Sequence, residues 1–286
     1  MSKKPLSKQV GLWDNAQNNS ELQQTENSIG EIKRCLNKDS ELQKMINNGK
    51  LLLKVRGSVA KSTNVTEASD LDLHLIFSKD YKLKECKDYV HDVLIKGFGN
   101  NDVTRKDLAI SVKPSINRVS TDILVCKVVD DDRVDALSDT TKKEVPFYPT
   151  IDEKNINQLN AGCANNYSKM VRTYKGLKNE MFKSKKYNHY ITSFMIECLI
   201  YNVNHTLFDI ARYINEKNNE LKYKKMFLDI KATIFSVQLN DFIKADEYRE
   251  INGKKKLFEN KKHWETVKDF FLDVNDYLRE EYDVNL

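Results

Sequence analysis

Glycine and proline are scarce, at 9 and 4 of 286 residues. Both interrupt regular elements, so their scarcity points to a chain with much helix. No apolar run reaches the roughly 18 residues of a membrane-spanning helix. The opening residues, MSKKPLSKQVGLWDN, lack the apolar stretch of a secretory signal, so a cytoplasmic protein is expected. Cysteine is sparse and unpatterned. Cys35, Cys86, Cys126, Cys163 and Cys198 form no CxxC pair and are odd in number. They read as reduced core thiols, not bridges or ligands. The histidines show no HxxxH or HExxH spacing, which argues against zinc.

What is present is a globular composition, 40% hydrophobic, with a net charge of +5. The length suits one large domain or two small ones. The mild positive charge suits an anionic partner. Lysines cluster at Lys183, Lys185 and Lys186, at Lys222, Lys224 and Lys225, at Lys254 to Lys256, and at Lys261 and Lys262. They read either as solvated surface or as a face that touches RNA or DNA phosphates.

Residues 1–16 read as loose. From about Ser20 apolar residues recur at helical spacing: Ile29, Ile32, Leu36, then Leu42, Met45, Ile46. Leu51 to Val55 reads as a short strand ending in Arg56-Gly57-Ser58. A polar loop, Val59 to Ser69, follows. Leu71, Leu73 and Leu75 then alternate with Asp70, Asp72 and His74, as in a strand with one buried face. A helix is predicted over 81–98, strands over 108–112 and 118–129, and a linker over 147–151. Beyond it Tyr167, Met170, Tyr174, Leu177 and Met181 form a helical stripe. Further helices are predicted over 191–203, 206–217, 221–238 and 263–281. The fold class is therefore α+β: a mixed half, 1–150, then a helical half, 151–286.

The strongest chemical signal is Gly57-Ser58, a loop, then Asp70-Leu71-Asp72. Two aspartates two apart on a strand share a face and can share hard cations. Mg²⁺ would relieve their repulsion and clamp a triphosphate. Gly57 lets backbone approach a phosphate, and Ser58 offers an N–H and a hydroxyl. Lys61, Ser62 and Thr63 add further donors. Asp122 sits mid-strand beside Ile123-Leu124-Val125, where an unpaired carboxylate is costly. It is the candidate third ligand of a two-ion site, with Mn²⁺ as a substitute for Mg²⁺, and helps remove the acceptor hydroxyl's proton. A DxD on a strand is weak alone, and so is a GS pair. Their ordered combination is far more specific. His74 shares the carboxylate face and is given no role.

The run Gly57-Ser58, Asp70-Leu71-Asp72 and Asp122 resembles the DNA polymerase β-like nucleotidyltransferase superfamily. Met170-Val171-Arg172-Thr173-Tyr174-Lys175, then Ile191-Thr192-Ser193-Phe194 through Leu199, narrows the likeness. Those segments resemble the bacterial cGAS/DncV-like nucleotidyltransferases, the short-chain CD-NTases of anti-phage CBASS systems. The resemblance covers roughly residues 45–205.

That resemblance implies a polymerase β-like core with a mixed sheet, a C-terminal helical lobe, and an active site in the cleft between. It implies that Lys175, in the helix that carries Arg172, and Ser193 contact NTP phosphates, and that Phe194 stacks on the base. For Lys175 the alternative is a solvated helix face; for Phe194 it is core packing. Asn160, in a segment resembling one near the donor base, is a candidate base reader, although the usual Lys-Asn pair is here Leu159-Asn160. No zinc ribbon of the vertebrate cGAS kind is present.

The function expected is synthesis of a cyclic di- or trinucleotide messenger from NTPs by a monomeric defence enzyme, read by a downstream effector. Activation by phage RNA at the lysine clusters is a further expectation. Two rivals stay open: a nucleotidyltransferase acting on RNA 3′ ends, protein or aminoglycosides, and an RNA-binding module with a decayed site.

Overall fold

A computed structural model describes residues 3–15, 18–66, 70–185, 187 and 191–284. Its helices are α1 (Leu6–Trp13), α2 (Asn19–Lys38), α3 (Ser40–Asn47), α4 (Gly57–Ala60), α5 (Leu83–Phe98), α6 (Pro149–Gly162), α7 (Asn166–Lys183), α8 (Ser193–Tyr201), α9 (Asn219–Thr233), α10 (Phe242–Ala245) and α11 (Lys261–Glu281). The strands are β1 (Lys4–Pro5), β2 (Leu51–Arg56), β3 (Leu71–Phe77), β4 (Val103–Arg105), β5 (Ala109–Val112), β6 (Thr121–Val128), β7 (Val134–Leu137), β8 (Glu144–Phe147) and β9 (Tyr282–Asp283). The chain divides into two units, Gln17–Glu153, and Lys154–Leu286 together with Met1–Ala16.

The first unit is built on a mixed sheet with the path β2-β3-β6-β5-β4. β3 runs parallel to β6, while β2 and β5 are antiparallel to their neighbours. Residues 121–124 of β6 pair with β5, and residues 126–128 pair with β7, which carries β8. The alternation in β3 does what its period requires. Leu71, Leu73, Leu75 and Phe77 enter a core with Ile32 and Leu36 of α2 and Val90 and Leu94 of α5. Asp72 and His74 are left on the other face. An Asn18–Glu21 capping box starts α2.

The second unit is helical. The stripe Tyr167, Met170, Tyr174, Leu177 and Met181 is fully buried on α7. It packs with Phe227 and Ile230 of α9 and Phe270, Phe271 and Val274 of α11 in one core.

Several expectations need correction. Residues 6–13 are not loose: they form α1, whose Leu6, Val10 and Trp13 are buried in the helical unit. The first sixteen residues therefore belong with the C-terminal half, and the boundary near 150 is one of two crossings. The linker over 147–151 is the end of β8 and the start of α6. The helix over 206–217 is replaced by two short 3-10 turns, His205–Phe208 and Ile210–Tyr213, started by Asn204 and Asp209 side chains. The α9 pattern ends in a π-helical turn, Ile234–Gln238. All five cysteines are free, and four are buried, as core thiols should be. Lys186 and Ser69 lie outside the described residues.

Candidate active site

A single register row crosses four strands. Arg56 of β2 faces Asp72 of β3, Asp72 faces Asp122 of β6, and Asp122 faces Ser111 of β5. Register partners project from the same face, and neighbouring strands lie about 4.8 Å apart. Asp72 and Asp122 thus stand side by side, an arrangement of like charges that weakens a sheet unless a cation joins them. Lys106 supplies one: its Nζ donates to both carboxylate oxygens of Asp122 at 2.9 Å. Arg56, beside Asp72, is buried and pairs with Glu153, the last residue of this unit. Neither Lys106 nor Arg56 was singled out by the sequence, because no local motif carries them.

Gly57 sits where the chain leaves β2 and turns into α4. Its φ is +64°, and a Cβ there would overlap the carboxylate Oδ2 of Asp72. The turn therefore presses backbone against Asp72, which only glycine allows. Ser58 follows in the first turn of α4, half-buried. Lys61 and Thr63, expected as phosphate donors, are both buried. The Thr63 N–H donates to the Ser58 carbonyl at 2.9 Å, so Thr63 braces the turn.

Asp70 does not share the strand with Asp72. β3 begins at Leu71, and Asp70 stands exposed just before it, at the mouth of the sheet. His74 is buried behind the row. Desolvation, then the nearby Arg56 charge, holds its imidazole near pKa 3, so it stays neutral.

The residues expected in the helical unit separate into two groups. Lys175 is buried, and its Nζ donates to Glu197 Oε1 at 2.7 Å, with both side chains 3% exposed. It is a structural ion pair, neither a solvated face nor a free phosphate ligand. Asn160 is also a correction. Its amide donates to Ser168 Oγ at 2.7 Å and its oxygen accepts from the Ser168 N–H, tying α6 to α7. Arg172 donates from Nε to Asp14 at 2.8 Å and so anchors the segment after α1.

One turn beyond Lys175, Lys178 donates to Ser193 Oγ at 3.0 Å. Burial, then the charge of Lys175, lowers Lys178 to a pKa of about 8. Ser193 opens α8, whose Thr192 cap accepts from the Met195 N–H. Phe194, beside it, is 36% exposed, as a stacking ring must be. A lysine, a hydroxyl and a helix N-terminus together suit a phosphate. Of the two lysines, it is Lys178 and not Lys175 that reaches Ser193.

The carboxylate row suits a hard divalent ion. Its donors are adjacent carboxylate oxygens, and the glycine turn keeps a side chain from the space Asp72 uses. Among the described residues, no three His, Cys, Asp or Glu side chains converge on a preformed metal cage. Among them also, no helix is long and apolar enough to cross a membrane.

Comparison with known proteins agrees with this architecture. The family model for the cGAS/DncV-like nucleotidyltransferase C-terminal helical domain matches residues 154–279. It reaches well past residue 205, where the resemblance read from the sequence stops. The cyclic dipyrimidine nucleotide synthase CdnE of Cecembia lonarensis is 27% identical over 68% of this chain and 74% of its own. The cyclic GMP-AMP synthase CdnE03 of Staphylococcus schleiferi is 26% identical over 94% and 95%. Among solved structures, the Elizabethkingia meningoseptica CdnE cyclic dinucleotide synthase with GTP and Apcpp aligns with a TM-score of 0.78, covering 95% of this chain and 98% of that one at 22% identity. The mixed sheet with its acidic row, the helical unit and these likenesses coincide: residues 154–279 match the C-terminal helical domain of the cGAS/DncV-like nucleotidyltransferases, and the chain is similar in sequence and fold to cyclic dinucleotide synthases of the CdnE kind.

Proposed function

We propose that this chain is a nucleotidyltransferase that joins NTPs into a cyclic di- or trinucleotide with the help of divalent ions. The observation that supports this most is the side-by-side pair Asp72 and Asp122 against the Gly57 turn. Asp72 and Asp122 would hold two Mg²⁺ ions, or Mn²⁺ in their place, with Asp70 completing the set from the mouth of the sheet. When bound, such ions neutralise a triphosphate and acidify a nearby hydroxyl. Asp122 receives the proton of the acceptor ribose hydroxyl at a carboxylate oxygen, and the deprotonated ribose oxygen attacks the α-phosphorus of the donor NTP as pyrophosphate leaves. Gly57 and Ser58 offer backbone N–H groups to phosphate. Lys178 and Ser193 take phosphate oxygens, and Phe194 lies against the base. A second transfer of the same kind closes the ring. The relatives named above, a cyclic dipyrimidine nucleotide synthase and a cyclic GMP-AMP synthase, support this reading.

The product would act as a second messenger for an effector in anti-phage defence, and the lysine clusters would receive activating RNA. Incubation with α-labelled NTPs and Mg²⁺, followed by phosphatase treatment, chromatography and mass spectrometry, tests the reaction. A phosphatase-resistant species made from NTPs alone supports it. Label found only in added RNA, protein or aminoglycoside favours the other transferases. Absence of pyrophosphate with Mg²⁺ or Mn²⁺, with and without RNA, overturns the enzyme reading. A turnover unchanged by structured RNA across low and moderate salt removes the activation step.

A further inference from the structure

Lys106 lies at the tip of the β4–β5 hairpin, where its N–H donates to the Ala109 carbonyl at 2.8 Å. The residues on both sides of it are fixed. Arg105 donates to Asp139 from Nε at 2.7 Å and Nη2 at 3.0 Å, and to Asp88 from Nη1 at 2.6 Å. The Asp107 carboxylate accepts from Ser138 Oγ at 2.8 Å and from the Thr140 N–H at 2.7 Å. The Asp107 carbonyl accepts at 2.7 Å from Lys87, whose side chain is only 1% exposed. The backbone of Lys106 is therefore held firmly, while its side chain is 47% exposed. That side chain reaches both oxygens of Asp122, the carboxylate beside Asp72. Next to it opens a cavity of about 660 Å³, lined in part by Asp88, Asp107 and Asp139.

We infer that Lys106 is the resident cation of the acidic row: it neutralises Asp122 while no divalent ion is bound, and competes with that ion for the same carboxylate. The inference rests on the metal-dependent reading above. Its physical basis is the like-charge pair. Two carboxylates in register on adjacent strands repel, and a folded chain without metal needs a counter-charge there. Lysine suits the task because its ammonium is strongly hydrated on a flexible stem and leaves at little cost. A half-exposed pair of this kind shifts a competing equilibrium only modestly, by about two- to five-fold. The competition sets a threshold for metal entry without blocking it.

Mn²⁺ binding to the nucleotide-free full chain, followed by electron paramagnetic resonance, reads this directly. K106A is expected to bind Mn²⁺ about two- to five-fold more tightly than the unaltered chain, K106R to bind as the unaltered chain does, and D122N to bind more weakly. The metal-free K106A protein should also melt at a lower temperature, and added Mn²⁺ should recover the difference. Equal or weaker Mn²⁺ binding by K106A, with binding that D122N still weakens, overturns the role of Lys106 alone. K106R tightening as much as K106A overturns it too, since charge would not be the agent. Absence of Mn²⁺ binding in every form overturns the metal-dependent reading and this inference with it.

Discussion

Asp72 occupies the space that a side chain on residue 57 would need. Residue 57 also has φ of +64°, where any L side chain is strained by about 1–2 kcal/mol. G57A should therefore both destabilise the first unit and push Asp72 out of its row. We expect a lower melting temperature, a retained far-ultraviolet spectrum, and pyrophosphate release reduced at least about tenfold, equivalent to 1.4 kcal/mol of barrier. Unaltered turnover in G57A would show that the turn does not constrain Asp72.

The buried pair Lys175–Glu197 makes a distinct prediction. Removing one partner leaves the other charge without compensation, at a cost of about 3–5 kcal/mol. K175A should lose that much in urea denaturation. The double variant K175M/E197M should recover most of it, because two apolar side chains fill the site without a charge to desolvate. A stable K175A that has lost NTP affinity would instead restore Lys175 as the phosphate ligand.

Lys178 should give nucleotide binding a pH dependence. Its pKa is about 8, so its charge is lost as pH rises through that value. KM for NTP is expected to be flat below pH 8 and to rise above it. K178R, which stays charged, should abolish the rise. Stability moves the other way. The unfolded chain, with a lysine near 10.5, binds more protons than the folded one between about pH 8 and 10.5. The burial cost of Lys178 is thus fully present below pH 8 and is relieved as pH rises. Denaturation of K178M, compared with the unaltered chain across this window, measures it.

The helical unit should depend on its first helix. Trp13 is 3% exposed, its indole N–H donates to Glu180 Oε2 at 2.6 Å, and its ring meets Tyr282 edge-on at 5.3 Å between centroids. W13A should cost about 3–5 kcal/mol. G176A should also destabilise, because a Cβ on residue 176 would collide with the Trp13 carbonyl. Chemical denaturation compares both with L12A, whose side chain is 67% exposed and should change little.

The sequence revealed what period and chemistry express locally. β3 was legible because Leu71, Leu73 and Leu75 alternate with Asp70, Asp72 and His74, and the α7 stripe because it repeats over four turns. β7 and β8, at four residues each, carry no repeat long enough to read. α1 was missed because eight residues with three buried side chains look like a tail until their partners are known. The acidic pair was legible as residue types, but its side-by-side geometry comes from β3–β6 register, which no local pattern sets. Lys175 and Lys178 lie on one side of the same helix, three residues apart, and only tertiary packing decides which one is paired with Glu197. Asn160 looked like a reader of bases because an amide serves as well in a pocket as in a core.

The short ladder between β1 and β9 joins Lys4 to Tyr282 and Pro5 to Asp283. It has a consequence for timing during synthesis. The sheet-bearing unit, Gln17–Glu153, is contiguous and emerges from the ribosome whole. The helical unit begins before it but cannot close its ladder until residue 283 has been added, about 130 residues later, on the order of ten seconds at usual elongation rates. Through that interval α1 waits with Leu6, Val10 and Trp13 lacking their late partners on α11 and β9. The acidic row would thus be assembled, with its lysine in place, well before the nascent chain has a helical unit to work with.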